Sequence, residues 1–339
     1  MNLLVTGGAG FIGSNLIRHL IDRPEIATLV NLDCLTYAGH LENLDGIHGI
    51  HPRYVFEQVD LRDQAEVVRV IRQHDITHVM HLAAESHVDR SITRPGDFIT
   101  TNINGTFHLL EACRAHWQTT NRELLTANRF LHVSTDEVFG SLGPHDPAFT
   151  ETTPYAPNSP YSASKAASDM LVRSYHHTYG LPAIITSCSN NYGPRQHPEK
   201  FIPVIIQSVI QRRSIPVYGD GLNVRDWLHV SDHCAALWTV LLAGKSGESY
   251  NVGGRNEQAN LHLVQHLCDL IDELKPALGG NSRRLITMVS DRPGHDRRYA
   301  MDATKIKCEL GWQPAQSFAS GLRETVEYYL GVFRSAAVV

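Results

Sequence analysis

The chain contains 339 residues with a formal net charge of −5, and hydrophobic residues make up 42% of it. That apolar fraction supplies a sizeable core and excludes wholesale disorder, while 25 Gly and 16 Pro are too few for a collagen-like or low-complexity chain. The acidic balance excludes binding to nucleic acid through bulk positive charge. The length predicts two domains or one large one.

The six cysteines are dispersed along the chain, and no two of them form a C-x-x-C pair, so the sequence predicts no metal site. Sparse, separated cysteines in a chain of this size are typical of a reduced, cytoplasmic protein. No apolar run approaches the ~18–20 residues of a membrane span, and we therefore expect no membrane partner.

Short β-branched segments alternate with longer amphipathic segments through the first half of the chain. This alternation predicts parallel strands joined by right-handed crossovers, which is a Rossmann-type doubly wound α/β fold. The later half, punctuated by Pro and Gly, predicts a smaller mixed α/β lobe. The predicted strands are Leu3–Thr6, Thr28–Asp33, Tyr54–Val59, His78–His81, Phe130–Ser134 and Ala183–Ser187, and helical patterns lie at Phe11–Leu20, Gln64–Gln73, Asp97–Trp117 and from Tyr161 onward.

The first predicted strand runs directly into a G-x-x-G-x-x-G motif made by Gly7, Gly10 and Gly13. Such glycines permit a tight turn and a close approach of backbone N–H groups to a pyrophosphate at a helix N-terminus. Asp33 ends the second strand, where a carboxylate accepts hydrogen bonds from ribose hydroxyls and repels a 2′-phosphate. The motif therefore predicts NAD rather than NADP. Asp60 and Leu61, at the end of the third strand, fit either an adenine contact or a surface turn.

Tyr161 and Lys165 stand four residues apart, after a Ser159-Pro160 pair that is typical of a helix start. The spacing places both side chains on one helix face, and a nearby ammonium is expected to lower the pKa of the tyrosine. A tyrosine tuned in this way removes a proton from an alcohol while a hydride leaves the same carbon.

The segment Val133 to Gly140 contains a hydroxyl pair and then two adjacent acids, Asp136 and Glu137, at the end of a predicted strand. Carboxyl ends of parallel strands face the ligand crevice, where two carboxyl groups in different environments divide into an acid and a base. The alternative interpretation is a polar loop in which the aspartate caps a turn. After another strand, Ser86 is a candidate contact to cofactor or substrate, whereas His87, Asp89 and Arg90 fit structural ion pairs equally well and receive no role.

Together these motifs resemble the extended short-chain dehydrogenase/reductase family, and within it the dTDP-glucose 4,6-dehydratases. The resemblance extends from about residue 2 to about residue 330 and is most specific at Thr135-Asp136-Glu137. It is also carried by residues 35–39, 81–91, 134–140, 189–194, 198–200, 224–228 and 291–296. Three segments depart from the family pattern, namely Cys34 where Lys is common, Phe139 where Tyr is usual, and Arg195-Gln196-His197.

The resemblance implies a redox-neutral elimination of water from a nucleotide sugar. Tyr161, with Lys165 beside it, would deprotonate the 4-hydroxyl as hydride moves to NAD, and Thr135 would hydrogen-bond the region of that hydroxyl. Glu137 would then remove the C5 proton and Asp136 would protonate the leaving C6 hydroxyl. Hydride return to C6 gives dTDP-4-keto-6-deoxyglucose. The alternatives are a 4-epimerase or a 4,6-dehydratase acting on another nucleotide sugar; a silent NAD-binding regulator is disfavoured because the catalytic set is complete.

The resemblance also implies the organisation of the chain and its ligand contacts. Residues 1–190 would form the NAD-binding domain and residues 191–339 mainly the sugar-nucleotide lobe, with room for later crossings of the chain, and the protein would be a homodimer through helices near Asp97–Trp117 and Tyr161–Tyr179. The NAD contacts would be Gly7, Gly10, Phe11, Ile12, Gly13, Asp33, Cys34, Leu35, Thr36, Asp60, Leu61, Leu82, Ala83, Ala84, Glu85, Ser86, Thr101, Tyr161, Lys165 and Asn191. The substrate contacts would be Ser86, Thr135, Asn190, Lys200, Phe201, Pro216, Val217, Tyr218, Arg225, Asn260, Asp291, Arg292, Pro293, Gly294 and His295.

Overall fold

A seven-stranded parallel sheet forms the centre of the molecule in the computed structural model, which describes residues 1–119, 127–291 and 294–335. Its strand order is β10-β6-β5-β4-β1-β2-β3, and every neighbouring pair is parallel. The predicted doubly wound α/β fold is confirmed. The strands are β1 (Asn2–Thr6), β2 (Thr28–Asp33), β3 (Tyr54–Gln58), β4 (His78–His81), β5 (Arg129–Thr135), β6 (Ala183–Cys188) and β10 (Ser249–Val252).

Apolar layers lie on the two faces of this sheet. One includes Leu16 and Trp238, and the other includes Val70 and Trp117. Burial of the two amphipathic layers holds the strand ends at fixed positions. The helices of this part are α1 (Phe11–Leu20), α2 (Gln64–Gln73), α3 (Val88–Thr93), α4 (Pro95–Phe98), α5 (Gly105–Thr119), α6 (Pro160–Tyr179) and α8 (Val230–Ala243).

The helix that carries the tyrosine and lysine begins as the sequence predicts. Ser159 caps α6 in a capping box with Ser162, Pro160 occupies the first turn, and Gly180 ends the helix in the left-handed conformation. These signals set where the helix starts, and therefore where Tyr161 projects at the sheet edge.

The helical pattern predicted over Asp97–Trp117 is confirmed, but a π-helical segment at Ile99–Asn104 separates α4 from α5. In this π-helical segment the side chain of the buried Asn102 faces the loop that follows β4. Its amide donates to the Glu85 carbonyl and to the Ser164 hydroxyl, and its oxygen accepts from the Glu85 N–H. The interruption therefore ties the loop after β4 to α6, as π-segments near functional sites often do.

The second half of the chain adds a smaller mixed lobe around its own apolar cluster, which includes Ile206, Leu267 and Val326. A three-stranded sheet has the order β11-β9-β7, a two-stranded sheet pairs β12 with β8, and β10 returns to the central sheet beside β6. The remaining elements are β7 (Asn190–Tyr192), α7 (Phe201–Ile210), β8 (Ile215–Tyr218), β9 (Val224–His229), β11 (Glu257–Ala259), α9 (Asn260–Leu274), β12 (Ile286–Val289), α10 (Thr304–Leu310) and α11 (Phe318–Ser335). Within the described ranges no helix has both the length and the apolar character needed to cross a bilayer.

Candidate active site

A cavity of about 560 Å³ opens at the carboxyl ends of the central strands. The ends of β1, β2, β4, β5 and β6 all contribute to its wall, which continues onto the loop before α7 in the second lobe. A crevice at this edge of a doubly wound sheet is the expected ligand site of the fold.

The glycine loop leaves room for a group to lie against its backbone. Gly7 has a φ of +71°, and a Cβ there would lie 2.8 Å from the Ala83 backbone. A Cβ on Gly13 would lie 2.1 Å from the Gly7 carbonyl oxygen. Side chains at either position would displace the turn or the neighbouring strand end, so the loop fits the close approach of a pyrophosphate to the N-terminus of α1.

Asp33 stands at the end of β2 and is only 8% exposed. Its carboxylate accepts the Ala9 N–H at 2.9 Å and the Leu35 N–H at 2.9 Å, which ties the glycine loop to the loop after β2. Burial raises its pKa, and the two backbone hydrogen bonds lower it. A carboxylate oxygen has a further lone pair, so Asp33 can still accept a ribose hydroxyl in this position.

The acid pair lies on a short 3-10 turn, Asp136–Phe139, that begins where β5 ends. Asp136 is 2% exposed, and burial, followed by the charge of Glu137, raises its pKa well above the usual aspartate range. Glu137 is half-buried. The two carboxyls therefore occupy different environments, in which Asp136 holds a proton and can act as an acid.

Tyr161 lines the same cavity, and its pKa differs from the expectation. Burial, followed by the charge of Glu137, raises the pKa of the phenol well above its ordinary value instead of lowering it, while a hydrogen bond with Thr135 acts in the opposite direction. The expected lowering is therefore wrong, because desolvation of the phenolate outweighs the other contributions. Lys165 lies one turn along the same helix, with its Nζ donating to the Val133 carbonyl at 2.8 Å.

The five predicted catalytic residues all line this one cavity, and so do the predicted NAD contacts apart from Leu35. Leu35 instead adopts a φ of 55° and uses its backbone N–H to hold Asp33. The residues that the resemblance implies for NAD thus lie together along one cavity, and their contacts with the cofactor stay predictions.

The predicted substrate contacts divide into two groups. Ser86, Thr135, Asn190 and Lys200 line the cavity. The others lie in the second lobe beyond the cavity wall, where Arg225 contacts the Tyr299 ring and donates to the Val224 and Asp296 carbonyls. The substrate contacts predicted for this second group stay predictions. The group consists of Phe201, Pro216, Val217, Tyr218, Arg225, Asn260, Asp291, Gly294 and His295. Arg292 and Pro293 lie outside the described residues.

A polar cluster lies at the rim of the cavity, where the ion pair that the sequence allowed for Arg90 has a partner that the sequence did not indicate. Arg90 lies over the Tyr37 ring, with 3.5 Å from the guanidinium carbon to the ring centre, and pairs with Glu199 at 3.0 Å. His197 lies 3.7 Å from another Glu199 oxygen. Arg90 and Glu199 are 109 residues apart, so no local sequence pattern indicates the pair. The cluster joins the loops of the sheet to the second lobe beside the predicted cofactor site.

No group of His, Cys, Asp and Glu in the described part of the chain has the arrangement of a metal site.

Comparison with known proteins gives consistent results over nearly the whole chain. The family model described as GDP-mannose 4,6 dehydratase matches residues 4–325. The dTDP-glucose 4,6-dehydratase of Neisseria gonorrhoeae is 58% identical over 332 residues, covering 97% of this chain and 95% of that protein. The dTDP-glucose 4,6-dehydratase 1 of Escherichia coli K12 is 54% identical, covering 97% of this chain and 93% of that protein.

Solved structures show the same relationship. DesIV, a dTDP-glucose 4,6-dehydratase from Streptomyces venezuelae with NAD bound, superposes with a TM-score of 0.89 at 44% identity, covering 98% of this chain and 97% of that chain. The UDP-glucose 4-epimerase of Thermus thermophilus in complex with NAD has a TM-score of 0.83 at 31% identity, covering 98% and 99% of the two chains. Because epimerases share the fold, the fold alone does not separate the two reactions.

Proposed function

The chain belongs to the GDP-mannose 4,6 dehydratase family, and we propose that it is an NAD-dependent dTDP-glucose 4,6-dehydratase, a hydro-lyase that forms dTDP-4-keto-6-deoxyglucose. The observation that carries this proposal is the Asp136-Glu137 pair in the cavity wall beside Tyr161. Eliminating water requires an acid and a base in addition to the base that deprotonates the 4-hydroxyl, whereas epimerisation at C4 requires neither of these two. The names of the relatives at 54–58% identity support the same reaction and the same sugar nucleotide.

The residues of the glycine loop and of the strand ends would hold NAD, and the fit rests on the absence of a Cβ at Gly7 and Gly13. When bound, NAD takes up the hydride from C4 of the glucose and later returns it to C6. Because the cofactor is regenerated in each turnover, it can stay bound throughout.

Tyr161 would accept the proton of the 4-hydroxyl while the hydride departs. Its buried phenolate is disfavoured by desolvation, so this step depends on positive charge and hydrogen bonds near the phenol. Lys165, one turn along α6, would supply the positive charge. The Thr135 hydroxyl supplies a hydrogen bond that lowers the pKa of the phenol.

The 4-ketone acidifies the C5 proton, which Glu137 would remove while Asp136 protonates the departing C6 hydroxyl. When the hydride reaches C6, C5 regains a proton from Glu137. Turnover therefore leaves Tyr161 with one proton more and Asp136 with one proton fewer than at the start. Thr135 donates to Asp136 Oδ1 at 3.3 Å and hydrogen-bonds with Tyr161, so its hydroxyl lies where that proton can be passed back.

A panel of nucleotide sugars tests the substrate. Purified enzyme given dTDP-glucose is expected to yield an alkali-sensitive 4-keto product with no net accumulation of NADH. UDP-glucose and GDP-mannose serve as comparison substrates. Turnover of either one with none of dTDP-glucose would contradict the substrate, and a C4 epimer as product would contradict the reaction.

The role of Glu137 is tested by Glu137→Gln, which keeps the side-chain shape and removes the base. The variant is expected to retain NAD and to lose exchange of the C5 hydrogen with deuterated solvent. Exchange at the wild-type rate would show that another group removes this proton.

The same proposal includes a homodimer in the cytoplasm. All six cysteines are free thiols, which fits a reducing compartment. The outer surfaces of α5 and α6 expose Phe107, Met170 and Tyr179 at 39–50% of their area, and burying them in a helical bundle with a second copy would remove that apolar surface from water. Light scattering after size exclusion is expected to give twice the chain mass, and Met170→Glu is expected to shift the mass towards one chain. A single-chain mass for the wild type would contradict the dimer.

A further inference from the structure

A line of buried titratable side chains lies behind Lys165, on the side away from the cavity. His132 on β5 has its Nε2 3.3 Å from Lys165 Nζ and 3.1 Å from Asp169 Oδ1. His132 is 0% exposed and Asp169 is 1% exposed. Asp169 follows Lys165 by one turn of α6, so the three groups form a continuous chain from the catalytic helix into the sheet and back.

Asp169 is held in place independently of Lys165. Its Oδ2 accepts hydrogen bonds from the Ser134 hydroxyl at 2.6 Å and from the Tyr155 hydroxyl at 3.0 Å. Its Oδ1 is buried, with His132 as its near neighbour. The two donors on Oδ2 therefore aim Oδ1 towards the pair formed by His132 and Lys165.

The Nε2 atom of His132 can form a hydrogen bond with only one partner at a time. Without a proton Nε2 accepts from Lys165, while Asp169 Oδ1 lies 3.1 Å from the same nitrogen without making a hydrogen bond and acts through its charge. Burial lowers the pKa of His132 well below its ordinary value, so the ring stays neutral. Because the ring adds no charge, the charge balance depends on Lys165 and Asp169.

The other groups that face Lys165 add no counter-charge from this side. Burial keeps His81 neutral, with its two nitrogens bonded to the hydroxyls of Thr6 and Thr106, and it raises the pKa of the Cys188 thiol to about 12. Burial also raises the pKa of the Tyr161 phenol. Burial lowers the pKa of Lys165, whereas the charge of Asp169 raises it. Asp169 is thus the anion that opposes loss of the lysine proton.

We propose that Asp169 and His132 are positioning residues for the oxidation step. Asp169 through its charge and His132 through its ring nitrogen keep the Lys165 ammonium charged and in place, and Lys165 in turn favours the Tyr161 phenolate. The proposal rests on the proposed function for the identity of the reaction. The competing explanation is that Asp169 only braces Ser134 and Tyr155 within the core.

The test uses Asp169→Asn in the NAD-loaded enzyme, since the amide oxygen can still accept from Ser134 and Tyr155 while the charge is lost. We expect kcat for dTDP-glucose to fall about 10- to 100-fold with KM within about threefold of wild type. The carboxylate of Asp169, whose pKa burial raises to about 6, loses its charge as the pH falls through that value. The wild-type rate should therefore fall as the pH drops through about 6, partly because Asp169 becomes protonated. The Asp169→Asn variant should lack this contribution to the decline.

A second readout does not use turnover. The ultraviolet absorbance of phenolate, taken as the difference between the enzyme and its Tyr161→Phe variant, reports the titration of Tyr161. We expect Asp169→Asn to move this titration to higher pH, because Lys165 loses its proton more readily. This readout stays informative if the nucleotide sugar proves to be a different one, so failure of the proposed function and failure of this proposal are distinguishable.

Two matched variants complete the experiment. Tyr155→Phe removes one hydrogen-bond donor to Asp169 but keeps the charge of Asp169. It should therefore lower kcat and raise the pH of the Tyr161 titration by less than Asp169→Asn does. Asp232→Asn removes another buried aspartate, one that accepts the Ala315 and Gln316 N–H groups, and should affect only stability. An unchanged Tyr161 titration, or a loss of kcat in Asp169→Asn with the wild-type pH profile, would overturn the proposal in favour of a bracing role.

Discussion

Two walls of the same cavity are built on different physical principles. The sheet wall comprises the glycine loop and the ends of β1, β4 and β5, and its shape is set by backbone contacts such as the one between Gly7 and Ala83. The rim wall comprises α3 around Arg90 and the loop before α7 around Glu199, and it is held by side-chain charge and ring contacts. Backbone packing does not adjust without moving a strand, whereas exposed side chains rearrange at small cost. Substitutions in the sheet wall should therefore cause large losses of function, and those in the rim wall should change it only modestly.

Gly13→Ala is expected to have the largest effect, because the added Cβ would lie 2.1 Å from the Gly7 carbonyl oxygen. The glycine loop must shift, and overpacking of this kind typically costs about 1–3 kcal/mol. We expect purified protein to contain almost no NAD, measured by releasing and quantifying the nucleotide, and to melt at lower temperature. Gly96→Ala is the control, since nothing lies within 4 Å of a Cβ there. If Gly13→Ala contained as much NAD as the wild type, the glycine loop would be able to adjust to the added Cβ, and the rigidity expected of the sheet wall would be wrong.

Thr135→Val comes next, since it removes a hydroxyl from the sheet wall without changing its size. Loss of this hydrogen bond is expected to lower kcat by about 100-fold. If the hydroxyl also returns a proton from Tyr161 to Asp136, the first turnover should be faster than the following ones, and small buffer acids should accelerate only the later ones. Rapid-quench measurement of product separates the two phases.

The control for this experiment is Thr135→Ser, which keeps the hydroxyl and should show no burst. A single rate for all turnovers in Thr135→Val, with no response to buffer acids, would show that water resets Asp136.

The same difference between the walls explains how far the sequence predicts the molecule. Gly7, Asp33 and Thr135 could be placed because each lies at or directly after the end of a strand, and the ends of parallel strands meet at one edge. The i, i+4 spacing of Lys165 and Asp169 places both on one face of α6, but it does not show that His132 on β5 lies between them. The π-segment before Gly105 was missed because it differs from a helix in its hydrogen bonding rather than in its apolar pattern.

At the rim, Arg90→Ala is expected to weaken cofactor retention without abolishing catalysis. The change removes the ion pair with Glu199 and the cation from the Tyr37 ring. Partly exposed contacts of this type contribute about 0.2–1 kcal/mol each, so NAD should dissociate a few-fold faster while kcat at saturating NAD is unchanged. Dissociation is measured by dilution into a trap that consumes free NAD. Arg323→Ala removes a comparable exposed pair with Glu273 far from the cavity, and it should leave the rate unchanged.

Cys34→Lys should have the smallest effect and the opposite sign. Burial and the charges of Asp60 and Asp33 raise the pKa of the Cys34 thiol to about 11, so the side chain is neutral at pH 7 within an acidic neighbourhood. A lysine would introduce one positive charge beside those carboxylates and the predicted ribose site. The gain in NAD affinity should not exceed about 1 kcal/mol and should fade with added salt, since exposed charges are screened. Cys34→Met supplies similar bulk without charge, and equal gains in the two variants would assign the effect to packing rather than electrostatics.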